Sequence, residues 1–75
     1  MSGFMGAHTE WCIVRSANGR IERARDGYKS AANARRSIPA VAKAYRADGG
    51  DANATYAVGR YMVGAAVPAE EFRKY

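Results

Sequence analysis

Apolar and polar positions along the chain fall into short strand-like runs on either side of one long helical stripe. Trp11-Cys12-Ile13-Val14-Arg15-Ser16 is rich in residues that suit a pleated, half-buried surface. Asn18-Gly19 follows, the dipeptide that best tolerates the two positive φ angles of a type I′ turn. Arg20 to Arg25 then reads as the returning strand. A two-residue turn pairs Ala17 with Arg20, Arg15 with Glu22 and Ile13 with Ala24. Because side chains alternate along a strand, Cys12, Val14 and Ser16 share a face with Ile21, Arg23 and Arg25. Trp11, Ile13 and Arg15 share the other. The pattern leaves open which face is buried.

Asp26-Gly27-Tyr28-Lys29 reads as a turn, and Ser30 as a helix N-cap. From Ala31 to Ala47 the period becomes helical. Ala31, Ala34, Ile38, Val41, Ala42 and Tyr45 fall within an arc of roughly 100°, a stripe that faces a core. Pro39 lies inside this stretch and removes one backbone donor. The stripe keeps its phase across it, which predicts a kinked helix; the alternative is a restart with Ser37 as a second N-cap. Gly49-Gly50-Asp51-Ala52-Asn53 is the clearest break in the chain. Beyond it, Ala54 to Val58 and Tyr61 to Val67 read as one bent strand or as a hairpin turning at Gly59-Arg60. Pro68 to Tyr75 opens like a short helix, with Pro in the first turn and acids after it. The expected fold is α+β. An antiparallel sheet in β-β-α-β-β order carries one kinked helix on one face and a short C-terminal helix. Residues 1–9 are expected to form a flexible tail and residues 10–75 a single domain.

Composition narrows what holds this fold together. A chain of 75 residues buries a modest share of its surface and is marginal alone. With one Cys and one His, neither an intrachain disulfide nor a structural zinc site is expected. That leaves a compact core, a homodimer, or both. The lone thiol suits a reducing compartment. No apolar run approaches the roughly 20 residues needed to cross a bilayer, and the start shows no basic-then-apolar leader. A cytoplasmic protein without a membrane partner is the expectation, in the host cytoplasm if phage-encoded.

Charge points outward to partners. The formal net charge is +5, which favours nucleic acid or an acidic protein face. Basic excess is equally common in small proteins from Ala- and Arg-rich genomes. Arg35, Arg36, Lys43 and Arg46 lie within about 100° of one another around the helix, and Arg23 and Arg25 add charge on one hairpin face. These six are the candidate partner-binding residues, as an anion-binding face; the plainer reading is a solvated helix surface. Tyr28, Tyr56, Tyr61 and Tyr75 either stack bases or half-fill the core.

No arrangement of residues points to catalysis. Cys12 and His8 are four apart on a strand, roughly 13 Å along it, so they do not meet, and Cys12 reads as a small buried apolar residue. Glu70 and Glu71 are adjacent and diverge on a helix, and Glu22 and Asp26 read as exposed. Neither glycine pair has the Lys-Ser/Thr sequel of a phosphate loop. No enzyme activity, cofactor or metal is expected.

Two resemblances add to this reading. Ala17-Asn18-Gly19-x-Ile21, Gly27-Tyr28-x-Ser30, Ala32 and Ile38-x-x-Val41 resemble the YegP-like family over about residues 11–41. These are short bacterial domains of unknown function, often in tandem. The resemblance implies strands, one helix and a further strand, with two such units building one sheet and a single-copy protein forming a homodimer. The tail Tyr56-Ala57-Val58-Gly59, Val63, Pro68, Glu70 and Arg73 is loosely similar to the end of a small phage anti-CRISPR protein.

The expected function is therefore a small non-enzymatic protein-binding module. Its most concrete form is a phage or mobile-element inhibitor that binds a bacterial defence complex sterically, with a CRISPR effector subunit as one such partner. The alternatives are a nucleic-acid-binding protein using the basic helix face, or a YegP-like dimeric domain of unassigned role.

Overall fold

The computed structural model describes residues 11–62 and 64–75; the expected 1–9 tail, and His8 within it, lie outside them. The order is β1 (Trp11–Ala17), β2 (Arg20–Tyr28), α1 (Ala31–Ala47), β3 (Thr55–Met62), β4 (Ala65–Pro68) and β5 (Arg73–Lys74). The sheet runs β2-β1-β3-β4, with β5 also on β3, and every pairing is antiparallel. The α+β class, the antiparallel sheet and the single helix against it match the sequence reading.

The first hairpin turns as its sequence dictates. Asn18 and Gly19 both take positive φ, 54° and 76°, and Ala17 pairs with Arg20 and Arg15 with Glu22. The expected Ile13–Ala24 pair does not form. Val14 opposes Arg23 and Ile13 opposes Arg25, so Ala24 is the extra residue of a β-bulge. A second irregularity leaves Gly27, at φ 92°, between the Cys12–Asp26 and Trp11–Tyr28 pairs. The first bulge reverses one expectation. Residues opposed across a pair share a face, so Arg23 stands on the side of Val14 and Arg25 on the side of Ile13.

Helix α1 runs unbroken through Pro39, which excludes the restart at Ser37. Ser30 Oγ accepts the Asn33 N–H at 3.1 Å, closing the N-terminus. At the other end the Gly50 N–H donates to the Tyr45 carbonyl and the Gly49 N–H to the Arg46 carbonyl. With Gly49 at φ 87°, this is a Schellman closure. Ala34, Ile38 and Ala42 are fully buried, and Ala31, Val41 and Tyr45 pack at the margin. The stripe read from the sequence is the face in contact with Ile13, Ala17, Ala54, Tyr56 and Val58.

The second half departs further from expectation. The chain does not turn at Gly59-Arg60; β3 continues through both, pairing Cys12 with Gly59 and Trp11 with Arg60. The turn comes four residues later, where Met62 pairs with Ala65 and Gly64 takes φ 80°. Gly59 is instead a place of close approach. A Cβ there would lie 2.5 Å from Val14 Cγ2 and 2.8 Å from the Val67 carbonyl oxygen. The β3–β4 hairpin curls over the face of β1 that the helix does not cover, and Cys12, Val14 and Ala57 are buried there.

The expected C-terminal helix is absent. Residues 65–68 are strand, the Ala69 N–H donates to the Val58 carbonyl at 2.9 Å, and Arg73–Lys74 pair with Thr55–Tyr56. Eight residues are too few for a helix without strong packing, whereas the outer edge of β3 offers unpaired backbone groups along its length. Local helix signals yield to that edge.

Asp51 joins the two halves. Its carboxylate accepts the Asn53 N–H at 2.9 Å and the Asn18 N–H at 3.0 Å, tying the hairpin turn to the loop after α1. These backbone hydrogen bonds hold the carboxyl below its usual range. A depressed folded pKa gives stability that is full above the unfolded value and is lost as pH falls through the folded one. Amide exchange at Asn18 is therefore expected to accelerate as pH drops below about 4, after correction for intrinsic rates. Asp51→Asn should abolish that pH dependence; an unchanged profile contradicts the tie. Gly59→Ala is expected to cost about 1–3 kcal/mol, read as a lower urea midpoint; an unchanged midpoint would show that the Val14 and Val67 contacts yield freely.

Candidate functional site

The six cations read from the sequence do not form one surface. Arg35 is ion-paired to Glu70, and Arg46 donates to the Tyr75 backbone oxygen at 2.6 Å. These two bind the segment after β4 to one flank of α1. There the Tyr75 ring meets the buried Tyr56 ring edge to face, with centroids 6.2 Å apart. Arg36 and Lys43 lie on the outward side, where Arg36 reaches the Asn33 side chain within its own helix. Arg25 stands on the opposite flank, and Arg23 on the far face of the sheet over the Tyr61 ring, 4.5 Å from its centroid. The expected common face for Arg23 and Arg25 is lost to the bulge at Ala24.

That opposite flank holds the most defined combination of chemistry. A cleft of about 310 Å³ runs between α1 and β2, lined by Arg15, Ala24, Arg25, Ala40, Val41, Ala44, Tyr45 and Asp48. Ala24, Ala40, Val41 and Ala44 give it a small apolar stretch between charged side chains. Arg15 lies in it with Cζ 3.7 Å from the Tyr45 ring centroid, a cation–π stack. Glu22 accepts from Arg15 Nε at 3.0 Å and from Nη2 at 2.7 Å. Burial opposes the charge on this guanidinium, but its interactions with Glu22 and with the nearby Tyr56 together outweigh it and raise its pKa above the ordinary arginine value. The Tyr45 ring is itself placed by Gly50, where any Cβ would overlap it.

The sequence named Arg25 but not the cleft. Arg15 was legible only as half of a cross-strand pair with Glu22. Its stack on Tyr45, 30 positions along the chain, depends on how α1 crosses the sheet, which no local pattern encodes. Tyr56 is fully buried, and its hydroxyl has no hydrogen-bond partner among the described residues. Tyr28 and Tyr75 pack against the core margin, and Tyr61 is exposed.

Cys12 is fully buried. Burial pushes its thiol pKa up, with Arg23 opposing and Asp26 adding to the effect, so it is a poor nucleophile in the folded chain. Among the described residues no group of three or more His, Cys, Asp or Glu side chains is placed to hold a metal ion. No described helix is long and apolar enough to cross a membrane. No protein-family model, curated protein or solved structure matches the chain.

Modification of Cys12 by an aromatic disulfide reagent at pH 8 should be at least ~100-fold slower than for an unfolded control, because it waits on an opening that costs several kcal/mol. In concentrated urea the difference should vanish. Rapid labelling of the folded chain would contradict the burial.

Proposed function

We propose that the chain is a non-enzymatic module that binds a protein partner through the seam between α1 and β2. The observation that supports it is the combination in that cleft of an apolar stretch, Ala24, Ala40, Val41 and Ala44, with Arg25, and with Arg36 and Lys43 exposed on the same helix outside the lining. A cleft of mixed polarity with cations at its margin fits an acidic protein segment that also carries apolar side chains. Asp48 is the one carboxylate in the lining. The buried, poorly ionised thiol of Cys12 favours binding over covalent chemistry.

The most concrete form of this reading is an inhibitor from a phage or mobile element that docks sterically on an acidic face of a defence effector. The loose likeness of the tail to a small anti-CRISPR protein favours that form. The likeness of residues 11–41 to the YegP-like domains favours a dimeric domain of unassigned role instead. Nucleic acid is the second ligand class, since Arg25, Arg36 and Lys43 remain available for phosphate. It ranks lower because phosphate tracking draws on several free cations in a row, and Arg35 and Arg46 are occupied by Glu70 and the Tyr75 backbone.

The test is plasmid interference in a host with an active CRISPR effector, with and without the chain. The unmodified chain should relieve interference. Arg25→Glu/Lys43→Glu, verified as folded by circular dichroism, should lose at least ~10-fold of that relief. Relief that survives the double variant removes the seam, and no relief from the unmodified chain removes the inhibitor reading. A low-salt gel shift on mixed nucleic acids, abolished by the same variant, would move the function to nucleic acid.

A further inference from the structure

We propose that the α1–β2 cleft is a binding site for a free α-amino acid with a short apolar side chain, held as a zwitterion. Three charged side chains line the cleft: Arg15, Arg25 and Asp48. Arg15 already has its counter-ion in Glu22, at 2.7 Å. Arg25, on β2, and Asp48, at the end of α1, form no ion pair with each other or with any other described residue. One wall thus offers an unanswered positive charge and the other an unanswered negative one.

These two charges lie apart along the cleft. Trp11 pairs with Tyr28, just before α1 begins at Ala31, and Arg15 stacks on Tyr45 near the far end of α1. The helix and β1 therefore run in the same direction. Arg25 opposes Ile13, on one side of the Arg15–Tyr45 stack. Asp48 follows Tyr45 by about one helical turn, on the other side. The small apolar stretch of Ala24, Ala40, Val41 and Ala44 belongs to the same lining.

A ligand that answers both charges and covers the apolar stretch carries a carboxylate, an ammonium and a short hydrocarbon body. A free apolar amino acid has all three on one carbon. Its carboxylate goes toward Arg25, where the Arg15 guanidinium adds a second positive group. Its ammonium goes toward Asp48, where the negative end of the α1 dipole adds to the attraction. Its side chain lies against Ala40 and Ala44, whose single methyl groups leave room for it. The volume of about 310 Å³ is at the lower end for small-molecule sites, which suits so small a ligand. A simple acid answers Arg25 but leaves Asp48 without a partner. The ligand shares its cleft with the protein-binding reading but does not depend on it, because the site exists whether or not a protein docks over it.

Titration of the full, isotopically labelled chain with L-valine, followed by amide NMR, tests this. Saturable shifts should appear at Ala24, Arg25 and residues 40–48, with a dissociation constant on the order of 1 mM. N-acetyl-L-valine lacks the ammonium and L-valinamide lacks the carboxylate, and each should bind at least ~10-fold more weakly. Asp48→Asn should remove the preference for L-valine over N-acetyl-L-valine, and Arg25→Gln the preference over L-valinamide. Both side chains are exposed and unpaired, so neither change should disturb the fold; if one does, the three compounds on the unmodified chain decide. No saturable shift by about 50 mM L-valine overturns the proposal. Equal affinity for the three compounds, shifts confined to residues outside the cleft, or a preference that survives both variants overturns it too. A chain that relieves plasmid interference without binding L-valine keeps the seam reading and loses this one.

Discussion

Strand β1 is buried on both faces, and most of the architecture follows from covering it. Cys12, Ile13 and Val14 are consecutive and all fully buried, although their side chains point to alternate sides. A single helix covers only one side of a sheet. Here α1 covers Ile13 and Ala17, and the other side is closed by the chain's own β3–β4 hairpin. That closure requires a backbone to pass where a side chain would ordinarily stand, and Gly59 supplies the space. A 75-residue chain thereby builds two thin layers of core around one strand without a second helix.

The charged residues sort into two populations on this frame. Some hold the chain to itself: Arg15 to Glu22 across the hairpin, Arg35 to Glu70 and Arg46 to the Tyr75 backbone along the helix flank. Exposed pairs of this kind contribute little stability singly. Their effect is positional, since they align the segment after β4 with the helix and continue the outer edge of the sheet. Others, among them Arg25, Arg36 and Lys43, have no ion pair with a described residue and contribute positive charge to the helix side. Net charge alone makes no distinction between these populations, which is why a helical wheel overstates the basic face.

Local chemistry was legible in the sequence, and approach between distant segments was not. Asn18-Gly19, the Ser30 cap, the apolar stripe of α1 and the Arg15–Glu22 pair are all consequences of neighbouring residues. The bulge at Ala24 was missed because nothing in Arg23-Ala24-Arg25 forbids regular pairing; helix packing draws Ala24 inward and moves Arg25 with it. At Gly59 the sequence left a bent strand and a turn both open, because a glycine needed for close approach looks the same in sequence as one needed for positive φ. Pro68 to Tyr75 carried genuine helix signals, and the open edge of β3 outweighed them. The α1–β2 cleft joins residues from three elements, so only one of its cations, Arg25, was identifiable beforehand as a candidate binding residue.

The glycine after the helix has a reach beyond its own turn. Gly50 leaves room for the Tyr45 ring, the ring seats the Arg15 guanidinium, and Arg15 holds Glu22 on the outer strand. Four positions in three elements and a loop thus form one continuous chain of contacts across the domain. The helix terminus and the outer strand are thereby joined by contact through the Arg15 guanidinium, which lies in the cleft between them.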